Sequence, residues 1–335
     1  MPGISLVVCV RNERTLLSRL LDRIHGNFDD LVVIHDGPEE DDPEPSSAAQ
    51  IVPGIDFAEV LHSRVPPEIS PYRILSTTPT ARLVRRWGGR FFQGPSCLQQ
   101  EPHWPFAWLH SKHDWILRLD SDEFPSPQLL EWLREFRCGP EPSMTVAGFN
   151  CVWPLWDGRK ALGSEWPDNR VFLFNRRRVR VLGIAEQVPT SDGQFMDVPL
   201  VLHHQPKRKS FGIRNLILRR QAYVWRRLIA DALMKDATAL PRWRWSSCHW
   251  PPAWEDFRKR PLSTGLRRFF SMPAPTARLL IRHGLYSCLY CSPFAGLHHL
   301  LIGWTVFVRR PSRERNRDVR DRENPSGEAI GCKPK

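Results

Sequence analysis

The N-terminal stretch of this chain admits few folds. "ISLVVCV" (Ile4 to Val10) is a short aliphatic, β-rich run with no polar face. That is the pattern of a strand buried on both sides. "RNERTLLSRLLDRIHG" follows, with Leu16, Leu17, Leu20, Leu21 and Ile24 at helical spacing and Gly26 as a stop. "DLVVIHDG" then reads as a second strand, ending in Asp36-Gly37. Helices are expected around 79–87 and 95–111, a strand over Trp115 to Leu119 and a helix over Gln128 to Phe136. Strands that alternate with helices imply a mostly parallel sheet covered on both faces. The expected class is therefore α/β.

Composition sets the outer limits. The chain has 335 residues, enough for one large α/β domain and an appendage. Its 31 prolines argue against a regular helical repeat. The net charge of +12, with the excess in the second half, suits partners that carry phosphate or an anionic surface. The cysteines are scattered and form no disulfide framework, which suggests free thiols in a reducing compartment. The start turns charged at once and reads as a first strand, not a signal peptide.

After about residue 143 the pattern changes. "TVAGFNCVW", "RVFLFN", "VRVLG" and "PLVLHH" look like strands without full helices between them. Ser210 to Lys235 is expected to form a long, basic, amphipathic helix. Residues 283–308 contain no Asp, Glu, Lys or Arg, yet Pro293, His298, His299 and several glycines interrupt the run. The favoured reading is two short apolar helices on or in a membrane surface. A single span and a soluble helical pair are the alternatives. The tail 309–335 is dense in charge of both signs and is expected to be disordered. The implied organisation is a sheet domain over 1–205, a helical, membrane-proximal region over 206–308, and that tail.

"WILRLDSDEFPSP" carries the chemistry. A buried strand delivers Asp120, Asp122 and Glu123 within four residues, followed by prolines. Crowded carboxylates repel and resist leaving water. They persist when solvated in a turn or when a cation holds them. Ligands of parallel α/β sheets sit at the carboxyl ends of the strands, and Glu13, Asp36 and Asp120-x-Asp122 all fall at such ends. Asp120 and Asp122 can both turn oxygens to one hard cation, Mg2+ or Mn2+. The bland alternative is a solvated turn in which Asp122 or Ser126 caps the next helix. Cys288-x-x-Cys291 lacks the further ligands of a zinc site. The basic helix lacks the glycine-aromatic signature of common RNA modules, so nucleic acid is not an expected partner.

"SLVVCVRNE", "LLDRI", "DDLVVIHDGPEEDD" and "HDWILRLDSDEFPSPQLLEWL" together resemble the nucleotide-sugar domain of family 2 glycosyltransferases, of GT-A fold. The similarity is to the bacterial branch that builds envelope and lipopolysaccharide-core glycans. "WPDNRVFLFNRRRVRVLGIAEQVP" and "LVLHHQP" are similar to later elements of that family. The resemblance covers roughly 4–37 and 85–225, with a looser echo at 277–308. It implies a metal-dependent, inverting hexosyltransferase moving a sugar from a nucleotide diphosphate, UDP-linked by expectation, to a hydroxyl of a glycan or lipid-linked acceptor. Glu13 and Asp36 would contact the nucleoside, Asp120 and Arg170 the diphosphate. Asp120, Asp122 and His203 would hold the metal, with His204 the alternative to His203. Glu186 would be the general base, with Asp168 and then Glu123 behind it. The sequence departs from the family pattern at His35, where an Asp is common, and at Ala185, where a His is common. The implied location is cytoplasmic, peripheral to the inner face of the cytoplasmic membrane, against an anionic surface. Two rivals stay open: a nucleotidyltransferase on a related sheet, and a non-catalytic membrane-associated scaffold.

Overall fold

The computed structural model describes residues 1–39, 50–51, 72–75, 77–96, 100–156, 161–162, 170–179, 189, 191–205, 230, 233, 252–271 and 293–309. They fall into two compact units, one drawn from Met1–Asn215 and Thr238–Cys248, the other from Leu216–Ala237 and His249–Lys335.

The first is a sheet unit. β1 (Ile4–Val10), α1 (Arg14–Ile24) and β2 (Asp30–Asp36) form as the aliphatic pattern predicts. Short strands β3 (Gln50–Ile51) and β4 (Arg73–Ile74) lead to α2 (Pro79–Arg86) and β5 (Arg90–Gly94). A 3-10 turn at Glu101–His103 runs into α3 (Trp104–Leu109). β6 (Trp115–Asp120), β7 (Glu123–Pro125) and α4 (Pro127–Cys138) follow. The remaining strands are β8 (Val146–Val152), β9 (Leu155–Trp156), β10 (Ala161–Leu162), β11 (Arg170–Asn175) and β12 (Gln194–His204). Thr78 caps α2 and Ser126 caps α4, each through a side-chain oxygen, and each is followed by Pro at the first helical position. Ser126, not Asp122, is thus the cap that the sequence left open.

Ten strands join one sheet in the order β3-β4-β5-β2-β1-β6-β11-β8-β12-β7, and β9 pairs with β10 apart from it. β5, β2, β1 and β6 run parallel. β11 is antiparallel to β6 and to β8, which restores the common direction in β8 and β12. The fold is a mixed α/β structure around a large mixed sheet with helices on both faces, so the α/β class expected is borne out. One face is covered by the buried leucines of α1 together with α2 and α4. Trp104, Phe106 and Trp108 of α3 cover the other. Strand alternation decides which side chains meet α3. Val32 and Ile34 of β2, Ile116 of β6 and Val7 of β1 pack there. Asp36, Arg118, Asp120 and Cys9, at even offsets from these residues, share that face.

The second unit is helical: α5 (Pro252–Lys259), α6 (Pro261–Ser271) and α7 (Pro293–Arg309). α6 and α7 cross at glycines. A Cβ on Gly303 would lie 2.3 Å from the Pro261 carbonyl oxygen, and one on Gly265 3.1 Å from that of His299. Phe257, Ile302 and Val306 are buried here, while Leu266, Phe270, Trp304 and Val308 are exposed. No helix among the described residues is long and apolar enough to cross a membrane. The Ser210–Lys235 helix, save residues 230 and 233, the Cys288-Cys291 pair and the tail from residue 310 lie outside the described residues.

Candidate active site

The carboxyl ends of β1, β2 and β6 and the first residue of β11 gather the acids singled out in the sequence. β11 runs against its neighbours, so Arg170 reaches this edge from the start of its strand. Arg170 Nη2 donates to Asp120 Oδ2 (3.0 Å) and to Glu123 Oε2 (3.1 Å), and its Nε lies 3.0 Å from Glu123 Oε1. Glu123 also accepts from Trp153 Nε1 (2.8 Å) and from the Asp120 backbone N–H (2.8 Å). This carboxylate is buried and bonded on both oxygens, so it ties the site together. Gln100 Nε2 donates to Asp120 Oδ2 (3.1 Å), but Asp120 Oδ1 is buried without a hydrogen-bond partner among the described residues.

The charges support one another. Burial would raise the Asp120 carboxyl, but Arg170 and Arg118 outweigh it and hold the pKa below the usual range. Burial alone would weaken charge on Arg170; Glu123 and Asp120 reverse that and keep the guanidinium firmly protonated. Arg118 is buried below them, its guanidinium 4.3 Å from the Trp104 ring centroid, with one Nη donating to the Val171 carbonyl (3.1 Å). Burial first, and then Arg170, lower its pKa to about 10, so it stays charged at neutral pH.

Asp122 lies in the turn that follows β6. Its Oδ2 lies 3.4 Å from His204 Nε2, and the His204 ring stacks on Trp153 at 4.4 Å. Burial disfavours a charged His204, but the bond to Asp122 and the charges of Asp122, Glu123 and Asp120 outweigh it and raise the pKa. His203, the residue favoured from sequence, leaves β12 on the opposite side, where burial and Arg23 lower its pKa. The structure places His204, rather than His203, beside Asp122.

Asp36 forms a second cluster. Its Oδ2 accepts from Arg11 Nη1 (2.8 Å), and its Oδ1 lies 3.0 Å from His103 Nε2. The other nitrogen of His103 meets the Tyr72 hydroxyl at 3.1 Å. Glu13, at the start of α1, accepts from Ser121 Oγ, which ties α1 to the β6 turn. His35 explains the departure from an Asp pair. It is buried, its Nε2 accepts from the Asn12 backbone N–H (3.1 Å), and its Nδ1 lies 2.7 Å from the Gly37 carbonyl. A proton on Nδ1 satisfies both contacts. His35 therefore braces the turn in which Asn12 takes a φ of 53°, a conformation Asn tolerates.

Sequence reading missed Arg11, Gln100, His103, Arg118 and Trp153. Only Arg11, directly after a buried strand, carried a local signal. Glu186 and Asp168 lie outside the described residues.

The carboxylates suit a hard divalent cation in kind: Asp122 adjoins His204, and Asp120 Oδ1 has no hydrogen-bond partner among the described residues. Among the described residues, no three His, Cys, Asp or Glu side chains come together as a metal-ligating set. Mg2+ commonly needs only one or two protein ligands, with water and substrate phosphates completing its shell, so the residues fit a metal shared with a diphosphate.

No protein-family profile matches the chain, and no curated protein matches it. Among solved structures, the chain is similar to mannosyl-3-phosphoglycerate synthase from Rubrobacter xylanophilus, at 14% identity and a TM-score of 0.39, over 72% of this chain and 79% of that one. It is similar to S. aureus TarS at 11% identity and a TM-score of 0.35, over 90% of this chain and 55% of that one. TarS 1-349 in complex with UDP matches at 11% identity and a TM-score of 0.35, over 90% of this chain and 91% of that one.

Proposed function

We propose that this protein is a glycosyltransferase that moves a sugar from a nucleotide diphosphate, UDP-linked by preference, to a hydroxyl of a glycan or lipid-linked acceptor. The observation that carries this reading is the convergence of Asp36, Asp120, Asp122, Arg170 and His204 at one edge of a mixed sheet, where its parallel strands β1, β2 and β6 end. Such an edge is where α/β folds bind nucleotides, and this one couples Asp120 and the buried Glu123 to the Arg170 guanidinium. In this reading Glu13 and Asp36 face the nucleoside. Asp122 and His204 hold a divalent metal, which would neutralise the departing diphosphate. Arg170 stays protonated beside Asp120, so it can turn toward phosphate oxygens without a proton transfer. Glu186 or Asp168 takes the acceptor proton in a single inverting displacement. Exposed Leu266 and Phe270 on α6, beside Arg267 and Arg268, and exposed Trp304 and Val308 on the apolar α7 suit contact with an anionic membrane surface.

Calorimetric titration of UDP, with and without Mn2+, tests the site. Metal-dependent binding is expected, weakened roughly tenfold or more in Asp122→Ala. Absence of UDP binding under both conditions would sink the reading. Release of pyrophosphate from a nucleoside triphosphate and a sugar phosphate would redirect it to a nucleotidyltransferase.

A further inference from the structure

A second charged feature of the sheet unit is left unused by this reading. A cleft of about 680 Å³ is lined by Arg14 of α1 and by Pro79, Arg82, Arg85 and Arg86 of α2. Four guanidinium groups share one cavity in the half of the chain where acids outnumber bases.

Helix stability explains only part of this. Arg85 and Arg86 occupy the last turn of α2, where positive charge complements the helix dipole. Arg14 is the first residue of α1, and Arg82 lies one turn into α2. Carboxylates already serve both helix ends: Glu13 stands at the N-cap of α1, and the buried Glu39 accepts from the Thr80 backbone N–H (3.2 Å) in the first turn of α2. Arg82 donates from Nη1 to the Thr77 carbonyl (2.6 Å), which fixes its stem but leaves its charge uncompensated. Among the described residues, no carboxylate forms an ion pair with Arg82, Arg85 or Arg86, although other exposed arginines such as Arg134 and Arg177 do find one. Self-repulsion of this kind is relieved by an anion.

We infer that this cleft binds a soluble ligand carrying two or more phosphate groups, at a site separate from the carboxylate cluster. The cleft is open to solvent, and it is broad enough for more than one phosphate group. Guanidinium forks match phosphate oxygens in pairs, and several of them select a multiply charged ligand. A bilayer is the poorer source of that phosphate. Interfacial binding needs apolar side chains inserted beside the basic ones, and no exposed large hydrophobic residue belongs to α1 or α2. The inference rests on the cleft alone and does not depend on the glycosyltransferase reading.

The test is calorimetric titration of the full chain with inorganic pyrophosphate in EDTA, which silences any metal-dependent diphosphate binding. The cleft variant is Arg82→Gln/Arg85→Gln/Arg86→Gln, all exposed positions. A variant with Arg19→Gln/Arg134→Gln/Arg177→Gln removes the same charge elsewhere. Expected is saturable binding that weakens at least roughly tenfold in the cleft variant and less than about twofold in the charge control. Equal losses in both variants would reduce the effect to net charge and overturn the inference, as would no pyrophosphate binding by the unaltered chain. Sedimentation with phosphatidylglycerol vesicles forms the second arm. Vesicle binding lost in the cleft variant while pyrophosphate binding persists would overturn the soluble ligand in favour of a lipid headgroup. UDP binding with Mn2+, measured on the cleft variant, reports on the carboxylate cluster separately.

Discussion

The two units of this molecule treat charge in opposite ways. The sheet unit buries it: Arg118 and Glu123 are buried at and beyond the end of β6, and Arg170 bridges Glu123 to the partly exposed Asp120. Among its described residues the helical unit buries no charged side chain. Its buried apolar residues are Ala230, Leu233, Phe257, Ile302 and Val306, backbone meets backbone at Gly265 and Gly303, and its Arg267–Asp256 pair is exposed. Burying unlike charges in a fixed geometry is costly and stabilises little on balance. A fold that does so at the mouth of its sheet, and not in its helices, marks where its chemistry lies.

The largest effect is expected where that burial is undone. Arg170→Met strands Asp120 and Glu123 without their shared cation. It should destabilise the sheet unit by about 3–5 kcal/mol in urea unfolding. A loss below about 1 kcal/mol would erase the contrast between the units. Next comes the helical crossing. Gly303→Val drives a branched side chain into the Pro261 carbonyl. It should cost about 1–3 kcal/mol, read from the far-ultraviolet helical signal, with Gly303→Ala milder. If valine were neutral, close backbone approach would not be what holds α6 against α7.

The smallest effect depends on pH. His110 is packed against Phe92 and Phe106, and its Nε2 has no hydrogen-bond partner among the described residues. Burial first, and then Arg90, lower its pKa from 6.5 to about 4. The unfolded chain therefore binds a proton between these values that the folded chain refuses. Stability should be unaffected above pH 6.5 and should fall as pH drops from 6.5 toward 4. Allowing for partial solvent screening, the loss is on the order of 1–2 kcal/mol. His110→Phe keeps the ring contacts and should flatten this part of the stability–pH curve. An unchanged slope in the variant would assign the acid sensitivity elsewhere.

Much of this was legible in the sequence because it is local. Aliphatic runs ending in Asp36 and Asp120 specify both a strand and its carboxyl end, and parallel packing brings such ends together. The choice between His203 and His204 was not local. It depends on the register of β12, where His204 pairs with Glu123 and His203 with Phe124. A slip of one residue exchanges the faces. The Glu123–Trp153–Arg170 arrangement joins three separate segments, and no spacing rule announces it. His35 was misleading for a different reason. It occupies a position where an acid is common, yet it serves the backbone of the Asn12 turn.

The reversed direction of β11 has a consequence for how such a protein can diversify. Because β11 enters the edge that β1, β2 and β6 leave, Arg170 and the last residues of those strands meet at a single rim. A lineage can vary residues at that rim, and so change what is admitted, while Asp36, Asp120 and Arg170 stay anchored in an unaltered sheet.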